Sequence, residues 1–128
     1  MGGESYAFAV AASASDNVWI VGQLTIEPLV MRWNGERGTF LRVPRAHWQR
    51  LSAQKINAQF SDVAVLGPTN VWAVGFAIEH WNGRRWTISG PRNFAANAIS
   101  AVSPQELWLA GRSTSGRPRP MVLRRRCV

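Results

Sequence analysis

The sequence predicts an all-β chain of repeated, short antiparallel strands, and three observations carry that prediction. The first is an internal repeat. Val10–Gly22, Val63–Gly75 and Ile99–Gly111 align without gaps. In each, an apolar residue stands nine positions before a tryptophan (Trp19, Trp72 or Trp108), and a glycine follows three positions after it. Between lie Ser15-Asp16-Asn17, Gly67-Pro68-Thr69-Asn70 and Ser103-Pro104-Gln105, the residue types that tight reversals need. Each segment therefore reads as strand, turn, strand.

The second observation is a matched pair of hairpin signals. Val30–Gly35 aligns with Ile78–Gly83, and both end in Trp-Asn-Gly. Asn-Gly tolerates the positive φ angles of a type I′ turn, so each predicts a hairpin into a fourth strand. After the second hairpin that strand is Arg85-Trp86-Thr87-Ile88. After the first, Thr39–Val43 and Trp48–Leu51 compete. The latter is preferred, because Trp48 stands to Val63 nearly as Trp86 stands to Ile99. The third repeat runs on to Val122-Leu123-Arg124-Arg125 and shows no Trp-Asn-Gly and no fourth strand.

The third observation concerns faces. In Val71-Trp72-Ala73-Val74 both sets of alternating side chains are apolar, as they are in Val18–Val21 and Leu107–Ala110. A strand with one wet face alternates polar and apolar residues. Here both faces need cover, as in a blade packed between neighbours. Tryptophan spacings of 53 and 36 residues suit four-stranded propeller blades better than solenoid coils. The expected architecture is about 2.75 four-stranded antiparallel blades of an incomplete β-propeller, a single segment over 1–128 with units near 6–52, 58–90 and 95–128.

The pattern DNVWIVG or TNVWAVG, then RWNG or HWNG and a further Trp strand, resembles a bacterial family of tandem propeller repeats common in high-G+C organisms. The resemblance covers almost the whole chain. It implies a propeller-type fold, loosely WD40-like and kelch-like, and supplies no shared catalytic residue. The Gly-His and Trp-Asp dipeptides of WD40 blades and the paired glycines of kelch repeats are missing.

Propellers close with about four to eight blades, so an open array leaves apolar faces and strand edges in water. The expected partners are copies of this chain or the missing blades of a longer one, with a strand added from another chain as one route. A protein or glycan ligand on the loops is a further expectation.

The 128 residues carry a net charge of +8, unevenly spread. Residues 1–41 are net −2 and residues 42–128 net +10. Fourteen of fifteen cations are arginine, Lys55 being the exception, which reads first as codon bias and weakens an inference toward nucleic acid. Residues 112–128 nevertheless hold six arginines and no acid. Arg119, Arg124, Arg125 and Arg126 are thus the candidates for a polyanion or nucleic acid, weighed against a solvated strand end. Trp48, flanked by Arg45 and Arg50, is the aromatic proposed for ligand stacking. Trp19, Trp72 and Trp108 are expected in the core, and Trp33, Trp81 and Trp86 with them.

Other chemistry is not evident. Cys127 is alone, so neither an internal disulfide nor a thiol metal site is expected. No apolar run approaches the ~20 residues of a membrane span. Tyr6–Ala14 imitates a signal's hydrophobic region, but Glu4 and no cation precede it, so the strand reading is preferred and a cytoplasmic location is the default. His47 and His80 lie in different repeats, Glu27 and Glu79 read as surface glutamates, and no nucleophile motif or phosphate loop is found. No metal, no cofactor and no catalytic residue is expected. The sequence points to a non-catalytic interaction module.

Overall fold

The computed structural model describes residues 5–91, 93–117 and 119–126. It is all-β, with three antiparallel sheets of four, four and three strands. Sheet 1 comprises β1 (Ser5–Ala14), β2 (Asn17–Leu24), β3 (Glu27–Trp33) and β4 (Gly38–Phe40). Sheet 2 comprises β5 (Phe60–Gly67), β6 (Asn70–Gly75), β7 (Ile78–Trp81) and β8 (Trp86–Ile88). Sheet 3 comprises β9 (Phe94–Ser103), β10 (Glu106–Ser113) and β11 (Pro120–Arg126). Within each sheet the strands lie side by side in sequence order.

The repeat is visible in the register. Trp19 faces Ala11 and Arg32, Trp72 faces Ala64 and His80, and Trp108 faces Ser100 and Arg124. A β-bulge interrupts each first strand opposite the repeat glycine, between Ala7 and Ala9, Phe60 and Asp62, and Ala96 and Ala98. The glycines are needed there. A Cβ on Gly22, Gly75 or Gly111 would strike the backbone of Tyr6, Gln59 or Ala95.

Side chains alternate across each sheet, giving a leading face that bears Trp19, Trp72 or Trp108 and a trailing face opposite. The leading face of sheet 1 packs on the trailing face of sheet 2, joining Trp19, Val21 and Val30 to Phe60, Val63, Val71, Ala73 and Trp86. The leading face of sheet 2 packs in the same way on sheet 3, joining Trp72, Val74 and Ile78 to Phe94, Ile99, Leu107 and Leu109. Trp19 meets Trp81 and Trp86 at centroid distances of 5.9 and 6.0 Å, within the range of favourable aromatic pairs. Asp62 ties the first strands of sheets 2 and 3, accepting from its neighbour Val63 N–H and from Ile99 N–H, both at 2.9 Å.

Three expectations need correction. The fourth strand of sheet 1 is Gly38–Phe40, not Trp48–Leu51. A four-residue loop, Asn34–Arg37, returns the chain at once, pairing Trp33 with Gly38. Trp48 instead sits between a 3₁₀ turn (Arg45–His47) and the short helix α1 (Gln49–Ala53), in the connector between sheets 1 and 2. The Trp-Asn-Gly loops are not type I′ either, since only Gly35 and Gly83 adopt positive φ, at 98° and 100°. Asn34 and Asn82 hold these loops by accepting from the two backbone N–H groups of residues 36 and 37, or 84 and 85. Finally, Trp33 and Trp108 are exposed rather than core. Their positions lie on the outward trailing face of sheet 1 and the outward leading face of sheet 3.

Candidate interaction surfaces

Each repeat tryptophan is anchored by the same three-residue arrangement. The residue two before it supplies an oxygen, and the residue opposite it on the third strand donates to that same oxygen. Trp19 Nε1 and Arg32 Nε donate to Asn17 Oδ1 at 2.9 and 3.2 Å. Trp72 Nε1 and His80 Nε2 do so to Asn70 Oδ1 at 3.1 and 2.8 Å. Trp108 Nε1 and Arg124 Nε do so to Glu106 Oε2 at 2.8 and 3.2 Å. The cation or imidazole also lies against the indole, at 5.7 Å for Arg32, 4.4 Å for His80 and 5.5 Å for Arg124. This arrangement satisfies a buried donor in sheets 1 and 2. In sheet 3 it stands at the surface.

Exposure changes systematically between equivalent positions. On the leading face, Trp19 and Trp72 are 0% and 4% exposed, but Trp108 is 40%. Val30 and Ile78 are buried, whereas Val122 at the same register is 66% exposed. The trailing face shows the reverse order. Val63 and Ile99 are buried, but their equivalent Val10 is 65% exposed. Trp81 is packed into the first core, while Trp33 is exposed. The outward leading face holds a shallow hollow lined by Ala98, Ser100, Trp108, Ala110 and Val122, and the outward trailing face holds one lined by Phe8, Val10 and Ile20.

The candidate ligand residues do not form one site. Trp48 is 7% exposed, its indole in the first core and its Nε1 donating to Val43 O at 3.3 Å. It is unavailable for stacking, and Arg45 and Arg50 are left exposed beside it without an aromatic platform. The arginines of β11 are divided by strand alternation. Arg124 is held by Glu106 and Trp108. Arg125 turns to the other face, donates to Ser89 O at 2.7 Å and lies 5.1 Å from the Trp72 ring. Arg119 and Arg126 are exposed. Two of the four proposed polyanion contacts thus have structural partners.

Two acidic or imidazole groups escaped the sequence reading. Glu79 is not at the surface. It is fully buried and accepts from His47 Nδ1 at 2.8 Å, joining the connector to β7. Burial raises the Glu79 pKa above its ordinary value, with His47 opposing that shift. Burial, and then Arg125, push the His80 pKa down. Neither His47 nor Glu79 shows a repeat-wide pattern that could reveal the pair. The shared oxygen at Asn17, Asn70 and Glu106, in contrast, is visible two places before each aligned tryptophan.

Among the described residues no group of three His, Cys, Asp or Glu side chains is placed to hold a metal ion. No helix is long and apolar enough to cross a membrane among the same residues. Cys127 lies outside the described residues. No protein-family model, curated protein or solved structure matches the chain.

Proposed function

We propose that the chain is a non-catalytic interaction module, its three sheets being successive blades of an incomplete β-propeller within a larger ring. The observation that carries this reading is the exposure series Trp19, Trp72, Trp108. The same residue in the same anchoring arrangement is covered wherever another sheet follows and uncovered where none does. An apolar face of this kind is a docking surface by default. The resemblance to tandem propeller repeats supports the same architecture.

A hydrophobic reporter dye such as anilinonaphthalene sulfonate tests the reading in dilute solution. At concentrations where the chain is monomeric it is expected to bind the dye at both outward faces, and Trp108→Glu with Val122→Lys to remove the share bound at the leading face while leaving the melt cooperative. A folded chain that ignores the dye and remains monomeric has covered faces, which defeats the proposal.

The alternative is a polyanion binder. It rests on the exposed Arg112, Arg117, Arg119 and Arg126. It expects retention on heparin that falls steeply with salt and weakens with Arg119→Ala plus Arg126→Ala. With Arg124 and Arg125 engaged elsewhere, this is the lesser reading.

A further inference from the structure

We infer that the outward leading face of sheet 3 is covered by the outward trailing face of sheet 1 from a second copy of this chain. The inference rests on the interaction-module reading and names its partner. The two internal interfaces show what a leading face receives. Trp19 receives Trp81, which stands on the third strand of the following sheet opposite Val71. Trp72 receives Arg125, which stands on the third strand of the following sheet opposite Leu107. The residue at that register in sheet 1 is Trp33, opposite Val18. It is exposed to the same degree as Trp108, at 40%.

The rest of the two faces matches in kind. Val10 occupies the place that Val63 and Ile99 fill when they pack beneath a preceding sheet, and Val122 occupies the place of Val30 and Ile78. Both are bare in the single chain. Among the described residues there is therefore an unmated example of each half of an interface that is built twice internally. Charge favours the same pairing. Residues 5–41 hold three acids against two arginines, whereas residues 94–126 hold six arginines against one glutamate. The net charges of −1 and +5 steer sheet 3 toward sheet 1 and disfavour contact between two copies of sheet 3.

The contact is heterologous, head to tail, and must close to avoid filaments. Two copies of the described residues supply six sheets, inside the range of about four to eight at which propellers close. In such a pair one two-fold axis makes both contacts equivalent, each placing Trp33 of one copy against Trp108 of the other.

Light scattering after size exclusion, combined with a mixing experiment, tests this arrangement. The wild-type chain is expected at about twice its 14.2 kDa. Val10→Lys breaks the trailing face and Val122→Lys the leading face, so each variant alone is expected to run as a monomer. Both sites are exposed in the single chain, and near-ultraviolet circular dichroism checks that the variants stay folded. Mixed in equal amounts, the two variants retain one intact pair of faces and are expected to regain a two-chain species. A wild-type monomer overturns the inference, as does a mixture that stays monomeric. Loss of association in only one variant also overturns it, since that marks contact between like faces. A monomer that still binds the hydrophobic dye defeats the second copy alone, whereas a dye-silent monomer defeats the module reading too.

Discussion

Asn17, Asn70 and Glu106 show how one side chain fixes the strand behind it. Each accepts from an indole and from a third-strand donor, so the acceptor locks the tryptophan rotamer and the strand register together. In sheet 2 the donor is His80, whose pKa lies below the ordinary value of 6.5. A depressed imidazole adds stability at pH above 6.5 that is lost as pH falls through its folded value. Glu79, next in sequence but on the other face, works in the opposite direction. Its raised pKa adds stability that is complete below the ordinary 4.5 and lost as pH rises through the folded value. Unfolding at a series of pH values is thus expected to lose the decline that sets in below pH 6.5 in His80→Gln. Glu79→Gln is expected to remove the fall in stability that begins above 4.5.

At the scale of the element, the repeat glycines are set by a bulge rather than by a turn. Gly75 lies against Gln59 O and Phe60 Cα, in a sheet buried on both faces. Gly75→Ala has to move backbone, so a cost of about 1–3 kcal/mol is expected, read as a lower urea midpoint. Gly67 has open space around it, and Gly67→Ala is expected to stay within about 0.5 kcal/mol. These strands were legible in the sequence because turn residues and two-sided apolar runs recur at fixed offsets from Trp19, Trp72 and Trp108. The connector was not. Trp48 imitates a strand tryptophan in spacing, yet the compact loop at Asn34–Arg37 has already placed β4, and the indole fills the first core from a helical turn instead. Trp48→Ala is accordingly expected to cost about 3–5 kcal/mol, as a core tryptophan does. The exposed tryptophans were also hidden from sequence, because Trp108 holds the same repeat position as Trp72 and its exposure is set by what covers it.

At the scale of the molecule, sheet 2 is packed on both faces among the described residues, and sheets 1 and 3 depend on what meets their outward faces. In a single chain Trp72→Ala removes a core side chain at about 3–5 kcal/mol, while Trp108→Ala removes one that is 40% exposed and is expected to cost far less. Association changes that ranking. Any partner that binds only the folded state raises apparent stability by mass action, about 2.7 kcal/mol at one hundred times its Kd. If the partner is a second copy, the chain is its own ligand, and its melting temperature must climb with its own concentration. Trp108→Ala then costs most in concentrated solution and least in dilute solution, whereas the cost of Trp72→Ala stays nearly constant. Thermal unfolding of wild type and Val122→Lys over a hundredfold concentration range reads this directly. The wild type is expected to shift upward by several degrees while the variant stays fixed, because only the wild type gains a mate for the face that bears Trp108.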